Sequence, residues 1–166
     1  VLAVVQRGRA AMERLNEIMD FESEISSGEV HEENIEPTIE LNNLSVVYDE
    51  VEVLSKVSAQ IPSGSTVGIV GPIGSGKTTL LKACMRLGQT PQNSIQIGGH
   101  DITSLNLGAL RKCFGYVSQD TILFSKSLEA NVAFGMPTAG REAVVTALMN
   151  ASFSPDDPSL PNGLDT

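Results

Sequence analysis

Gly71-Pro72-Ile73-Gly74-Ser75-Gly76-Lys77-Thr78-Thr79 is the stretch on which the reading of this chain turns. It fits the pattern G-x-x-x-x-G-K-[S/T] at every fixed position. A polyanion needs a cradle of backbone N–H groups, and glycines let the main chain approach and turn freely. A helix opening near Gly76 would aim its unpaired donors and partial positive charge at the same place. Lys77 adds a mobile full charge for β and γ phosphates, and Thr78 offers a hydroxyl to Mg²⁺, a hard cation that prefers oxygen. The stretch therefore implies a loop for the phosphates of a nucleoside triphosphate, read as MgATP, with Gly71 to Thr79 as its binding residues.

The flanks supply the context that such a loop requires. Thr66-Val67-Gly68-Ile69-Val70 is short, apolar and β-branched, and is expected to be a buried central strand. Leu80, Leu81, Cys84 and Leu87 predict one apolar face of a helix over 77–87. Upstream, Ile39, Leu41, Leu44 and Val46 alternate with polar residues, with Asn42-Asn43 breaking the period. Asp49-Glu50 reads as a turn into a second strand ending at Ile61, which makes an antiparallel hairpin. Downstream, Ile95–Ile97 and Phe114–Val117 read as strands, and Leu107–Lys112 as a short helix. Ser127 is expected to cap a helix through Phe134, 142–151 begins another, and 153–166 reads as loop.

The N-terminal end differs in kind. Val1, Val5, Gly8, Met12, Leu15 and Met19 predict an amphipathic helix over 1–20, by spacing alone a surface helix, with a membrane or partner helix as the alternatives. Residues 21–37 are acidic and end on Pro37, the composition of a solvated linker. Ten of the twenty acidic residues but only three of the eleven basic ones lie in residues 1–40, so most of the net charge of −9 belongs there. No basic stripe exists to meet a nucleic-acid backbone. Cys84 and Cys113 have no CxxC spacing and read as reduced core residues. No signal peptide and no run of about 18 apolar residues is present. The abrupt apolar start without Met suggests a fragment.

With these residues in view, the stretch Gly71–Leu80 resembles the phosphate loop of ABC transporter ATPases. Tyr48 lies 23 residues before Gly71, where the family has an aromatic that stacks on adenine. Gln119, 42 residues after Lys77 in Phe-Gly-Tyr-Val-Ser-Gln-Asp120, is similar to the family's Q-loop glutamine. The resemblance implies that Gln119 reaches Mg²⁺ and the attacking water. Leu123 to Gly135 resembles the stretch after that loop in exporter-type members. Residues 7–20 look like the cytoplasmic end of the last transmembrane helix of such exporters, which revises the surface-helix reading. The tail 160–166 resembles the segment just before the LSGGQ signature, so the signature, Walker B aspartate, catalytic glutamate and switch histidine would lie beyond it.

What the resemblance implies is an α/β fold: a P-loop core with a mainly parallel sheet plus an antiparallel β subdomain, truncated and preceded by a helix. Residues 1–20 would continue a transmembrane domain, 21–37 form the linker, and 38–166 the first part of the ATP-binding domain. Lys77 and Gln119 would act in catalysis, and Thr78 and Gln119 would hold Mg²⁺. The implied partners are a second ATP-binding subunit, identical or not, and the membrane domain of the same polypeptide, at the cytoplasmic face of a membrane. With no candidate base in the sequence, this chain alone is expected to bind nucleotide without turning it over. Two other readings stay open: a degenerate, regulatory half of a heterodimeric exporter, and a soluble P-loop kinase or NTPase.

Overall fold

The structure, a computed structural model, describes every residue except Val1, Glu22, Glu24, Glu33 and Pro137; the side chains of residues 2–5, Arg7 and Ala10 are also outside the description. The chain divides into two compact units, residues 1–115 and 116–166.

In the first unit, α1 (Leu2–Met19) forms where the heptad-like spacing placed it. Of its stripe, Val1 lies outside the described residues and the Val5 side chain outside the description. Met12, Leu15, Ile18 and Met19 are all exposed.

The hairpin of β1 (Ile39–Tyr48) and β2 (Val51–Ile61) is antiparallel. Its two-residue turn has positive φ at both Asp49 and Glu50, +47° and +65°, the backbone of the turn that matches strand twist. The break in the sequence period is a bulge. The ladder shifts between Leu41 and Leu44, Asn43 takes φ +48°, and its N–H donates to Ser58 Oγ at 2.9 Å instead of to a backbone carbonyl. One extra residue returns Leu44 to the face of Leu41, and Leu41, Leu44 and Val46 are all buried. β3 (Ile95–Ile97) and β4 (His100–Asp101) complete a sheet of order β2-β1-β3-β4, antiparallel throughout, with Gly98 and Gly99 making the last turn.

Two helices close this sheet. α2 (Lys77–Cys84) puts Ala83 and Cys84 into the core and Leu80 against it. Leu81 and Leu87, expected on the same face, are exposed, because the helix ends at Cys84 and the buried face runs through 80, 83 and 84. α3 (Leu107–Lys112) buries Leu110 completely. It is capped by Asn106, whose Oδ1 accepts from the N–H groups of Gly108 and Ala109. Leu44, Ile95, Ile102, Leu105 and Leu110 form the fully buried centre.

Other expectations are corrected as well. The 21–37 segment is not simply solvated: Gly28 N–H donates to Leu105 O and Val30 N–H to Ser104 O, while Asn106 N–H donates to Val30 O, and Ile35 packs on the core. An acidic composition is compatible with docking through main-chain hydrogen bonds, which need no apolar side chain. The runs 66–70 and 114–117 have no ladder partner among the described residues, so the parallel part of the expected sheet is not formed there. Val70 and Val117 are 94% and 90% exposed, since β-branching favours an extended chain but only a paired neighbour buries it. Cys84 is buried but Cys113 is exposed.

The second unit is helical. Ser127 Oγ accepts from Ala130 N–H and caps α4 (Leu128–Val132), which stops short of the expected Phe134. α5 (Arg141–Asn150) packs Val144 and Leu148 on Leu164 in the closing 3₁₀ turn. Among the described residues no helix is long and apolar enough to cross a membrane.

Candidate nucleotide-binding site

The loop runs from the extended 66–70 segment into α2. Gly74 and Gly76 hold φ +82° and +85°, a backbone that side chains adopt only under strain. Gly76 is also confined: a Cβ there would lie 2.6 Å from Leu54 Cδ2 and 3.0 Å from Val53 O. β2 thus seats the loop directly and requires glycine for a packing reason as well as a conformational one.

α2, like α5, opens without a side-chain cap, whereas Asn106 and Ser127 cap α3 and α4. Its first N–H groups are left for an outside acceptor, at the end of the helix where the dipole favours an anion. Lys77 Nζ donates to the carbonyl oxygens of Gly71 at 2.9 Å and Pro72 at 2.7 Å. The ammonium is therefore folded back over the loop, and charged phosphate oxygens would be stronger acceptors for the same protons than neutral carbonyls. Thr78 is exposed as the second residue of α2. Gly71, Pro72, Ser75, Gly76 and Lys77 line a cavity of about 330 Å³ together with Ile69, Val70 and Leu80. A larger one of about 900 Å³ between the linker, β1 and α3 contains no residue of the loop. The donor set, and not cavity size, marks the site.

Tyr48 ends β1 and is 46% exposed. It does not line the loop cavity; its hydroxyl leans on Gly88, where a Cβ would come within 2.9 Å. Gln119 is exposed in the second unit, in a stretch without regular secondary structure. Its part in the site rests on the resemblance. The sequence reading missed Arg86, the C-terminal neighbour of the loop helix, which is buried to 6% exposure. No motif marked it; only an arginine just after an apolar helical face could have raised the question. Also missed was Asn131. Its amide donates to the carbonyls of Phe124, Lys126 and Ser127 and accepts from Phe124 N–H, fixing the turn before α4.

A protein-family model described as ABC transporter matches residues 54–158. The chain belongs to the ABC transporter family. This sets aside the soluble P-loop kinase alternative and bears out the fold class. Among curated relatives, an ATP-dependent lipid A-core flippase of Methylococcus capsulatus is 36% identical over 169 residues, covering 100% of this chain and 28% of the relative. A probable multidrug resistance ABC transporter ATP-binding/permease protein of Bacillus subtilis is 34% identical, covering 100% and 29%. Among solved structures, a bacterial Atm1-family ABC exporter with ATP bound superposes with a TM-score of 0.86 at 29% identity, over 98% of this chain and 29% of that one. The chain thus spans under a third of the length of these relatives.

Proposed function

We propose that this chain is the ATP-binding part of an ABC exporter, working at the cytoplasmic face of a membrane. It would do so together with a membrane domain on the same polypeptide and a second ATP-binding subunit. The observation that carries the reading is the uncapped N-terminus of α2, fed by two left-handed glycines and overlaid by the Lys77 ammonium. In support of the wider reading, a relative matched over the whole of this chain is named an ATP-binding/permease protein, and α1 precedes the linker here as a helix leading out of a membrane domain would. Residues 1–20 would be that lead-in, 21–37 the linker and 38–166 the ATP-binding domain.

In this reading the amides of Gly71–Thr79 and Lys77 hold the triphosphate, and the Tyr48 ring covers the adenine. The Thr78 hydroxyl and the Gln119 amide oxygen would hold Mg²⁺, which when bound neutralises charge on the transferring phosphoryl group. Gln119 would orient the water, an amide offering donor and acceptor without adding charge. Among the described residues no carboxylate stands in a motif that would place it on that water. The chain by itself is therefore a binder whose turnover depends on groups it does not supply.

Titration with MgATP tests this. The wild type binds, and Lys77→Ala weakens binding by roughly tenfold or more, as expected for removing a charged hydrogen bond of about 1.5–3 kcal/mol. Equal binding by the two would overturn the reading. Steady ATP turnover by the 166-residue chain, lost in Lys77→Ala, would overturn the claim that the base comes from elsewhere.

A further inference from the structure

Arg86 is a buried charged residue of the first unit. It comes just after Met85, the C-cap of α2, and holds φ +48°, a position that glycine fills at less cost after a helix. Its guanidinium is buried and has no carboxylate within ion-pair distance among the described residues. Burial of a charge without a close counter-ion is unfavourable by several kcal/mol unless hydrogen bonds replace the water. Three backbone carbonyls do so here: Nη2 donates to Ser26 O at 2.8 Å, and Nη1 to Ile102 O at 3.3 Å and Thr103 O at 3.5 Å. Burial lowers the guanidinium's pKa below its ordinary value, and the charge of nearby Asp101 opposes that only in part.

What these bonds join is informative. Ser26 belongs to the linker, Ile102 and Thr103 to the turn after β4, and Arg86 itself to the end of the helix that opens on the phosphate loop. That end is gripped from the other side by Arg111, whose Nη2 donates to Arg86 O at 2.9 Å. The next linker residues run beside 104–106 through the bonds of Gly28 and Val30. From Lys77 to Cys84, α2 is eight residues, about 12 Å of stiff helix. A shift imposed at its phosphate end therefore arrives at Arg86 with little loss.

We propose that Arg86 is a positioning residue that fastens the linker to the C-terminal end of α2, so that nucleotide held at Gly71–Thr79 tightens residues 26–30. The inference rests on the nucleotide-binding reading above. Arg86 does not line the loop cavity; it acts through α2 on the segment that leads back to α1.

The test is amide hydrogen exchange at Gly28 and Val30 in the natural full-length protein, with and without the Mg²⁺ complex of a non-hydrolysable ATP analogue. The wild type should show roughly tenfold slower exchange at both amides on binding. Arg86→Gln should bind the analogue within about threefold of wild type, by RT ln K a difference under ~0.7 kcal/mol, yet lose the slowing. The variant is expected to fold, because a polar cavity of about 370 Å³ beside Ser26 and Thr103 admits water to the freed carbonyls. Slowing that persists in Arg86→Gln would overturn the proposal. So would a wild type that binds the analogue with exchange at Gly28 and Val30 unchanged, whatever the variant does. A wild type that does not bind at all would overturn the nucleotide reading and this inference with it.

Discussion

Gly76 sits so close to Leu54 that a Cβ on it would lie 2.6 Å from Leu54 Cδ2. The neighbouring Gly74 shares its positive φ but has nothing within 4 Å of the same point. The two glycines therefore separate strain from overpacking. Gly74→Ala should cost about 1 kcal/mol, the ordinary penalty for a left-handed alanine. Gly76→Ala adds a clash in the core and should cost about 2–4 kcal/mol in all. Thermal or urea melts of both variants check this, and equal losses would mean that Leu54 yields freely.

Asp101 predicts a pH effect. Burial alone would raise its carboxyl, but donors from Thr103 Oγ1 and N–H and from Asn93 N–H, with the positive charge of Arg86, bring it below the ordinary carboxylate value. A folded-state value below the unfolded one means the contribution is present above about pH 4, the unfolded value, and is lost as pH falls through the folded value. Asp101→Asn should therefore lower the melting temperature at pH 7 and narrow its gap to wild type as the pH drops below about 4. A gap independent of pH would show that the ionised form matters little.

The two cysteines should differ sharply towards a thiol reagent. Cys84 is buried and burial pushes its thiol up to about 11, so at about pH 8 almost none of it is thiolate. Cys113 is exposed at the end of α3. One thiol per chain should react quickly with Ellman's reagent in the folded protein and the second only on unfolding. Mass mapping should place the fast label on Cys113.

Much of this was legible in the sequence because it is local. The loop motif, the hairpin turn at Asp49-Glu50 and the Ser127 cap each depend on a few adjacent residues, and each stands where expected. The broken period at Asn42-Asn43 was visible; its cause, a bulge closed by Ser58 Oγ, involves a residue 15 positions away. What escaped was of that longer range. Thr66–Val70 has the composition of a buried strand, but composition cannot say which neighbour pairs with it. Arg86 gave no signal because its three acceptors are backbone carbonyls, which leave no trace in residue type. The same holds for the linker, whose docking uses main-chain groups of 104–106.

Asn106 offers a way to test that docking apart from helix capping. Its Oδ1 caps α3 through Gly108 and Ala109, at 2.9 and 3.1 Å, while its Nδ2 donates to Ser27 Oγ at 3.1 Å on the linker. Asn106→Ala removes both roles and should cost about 1 kcal/mol from the cap alone. Asn106→Asp keeps a capping oxygen, and its charge suits a helix N-terminus, but it removes the donor to Ser27. The aspartate variant should thus melt close to wild type while its linker is cut faster by a glutamate-specific protease at Glu29 and Glu32. The alanine variant should lose on both measures. If the aspartate variant's linker is cut no faster than wild type, the Asn106 donor contributes nothing to docking, which then rests on the backbone bonds of Gly28 and Val30, on Leu107 N–H to Ser27 Oγ and on Arg86 to Ser26 O.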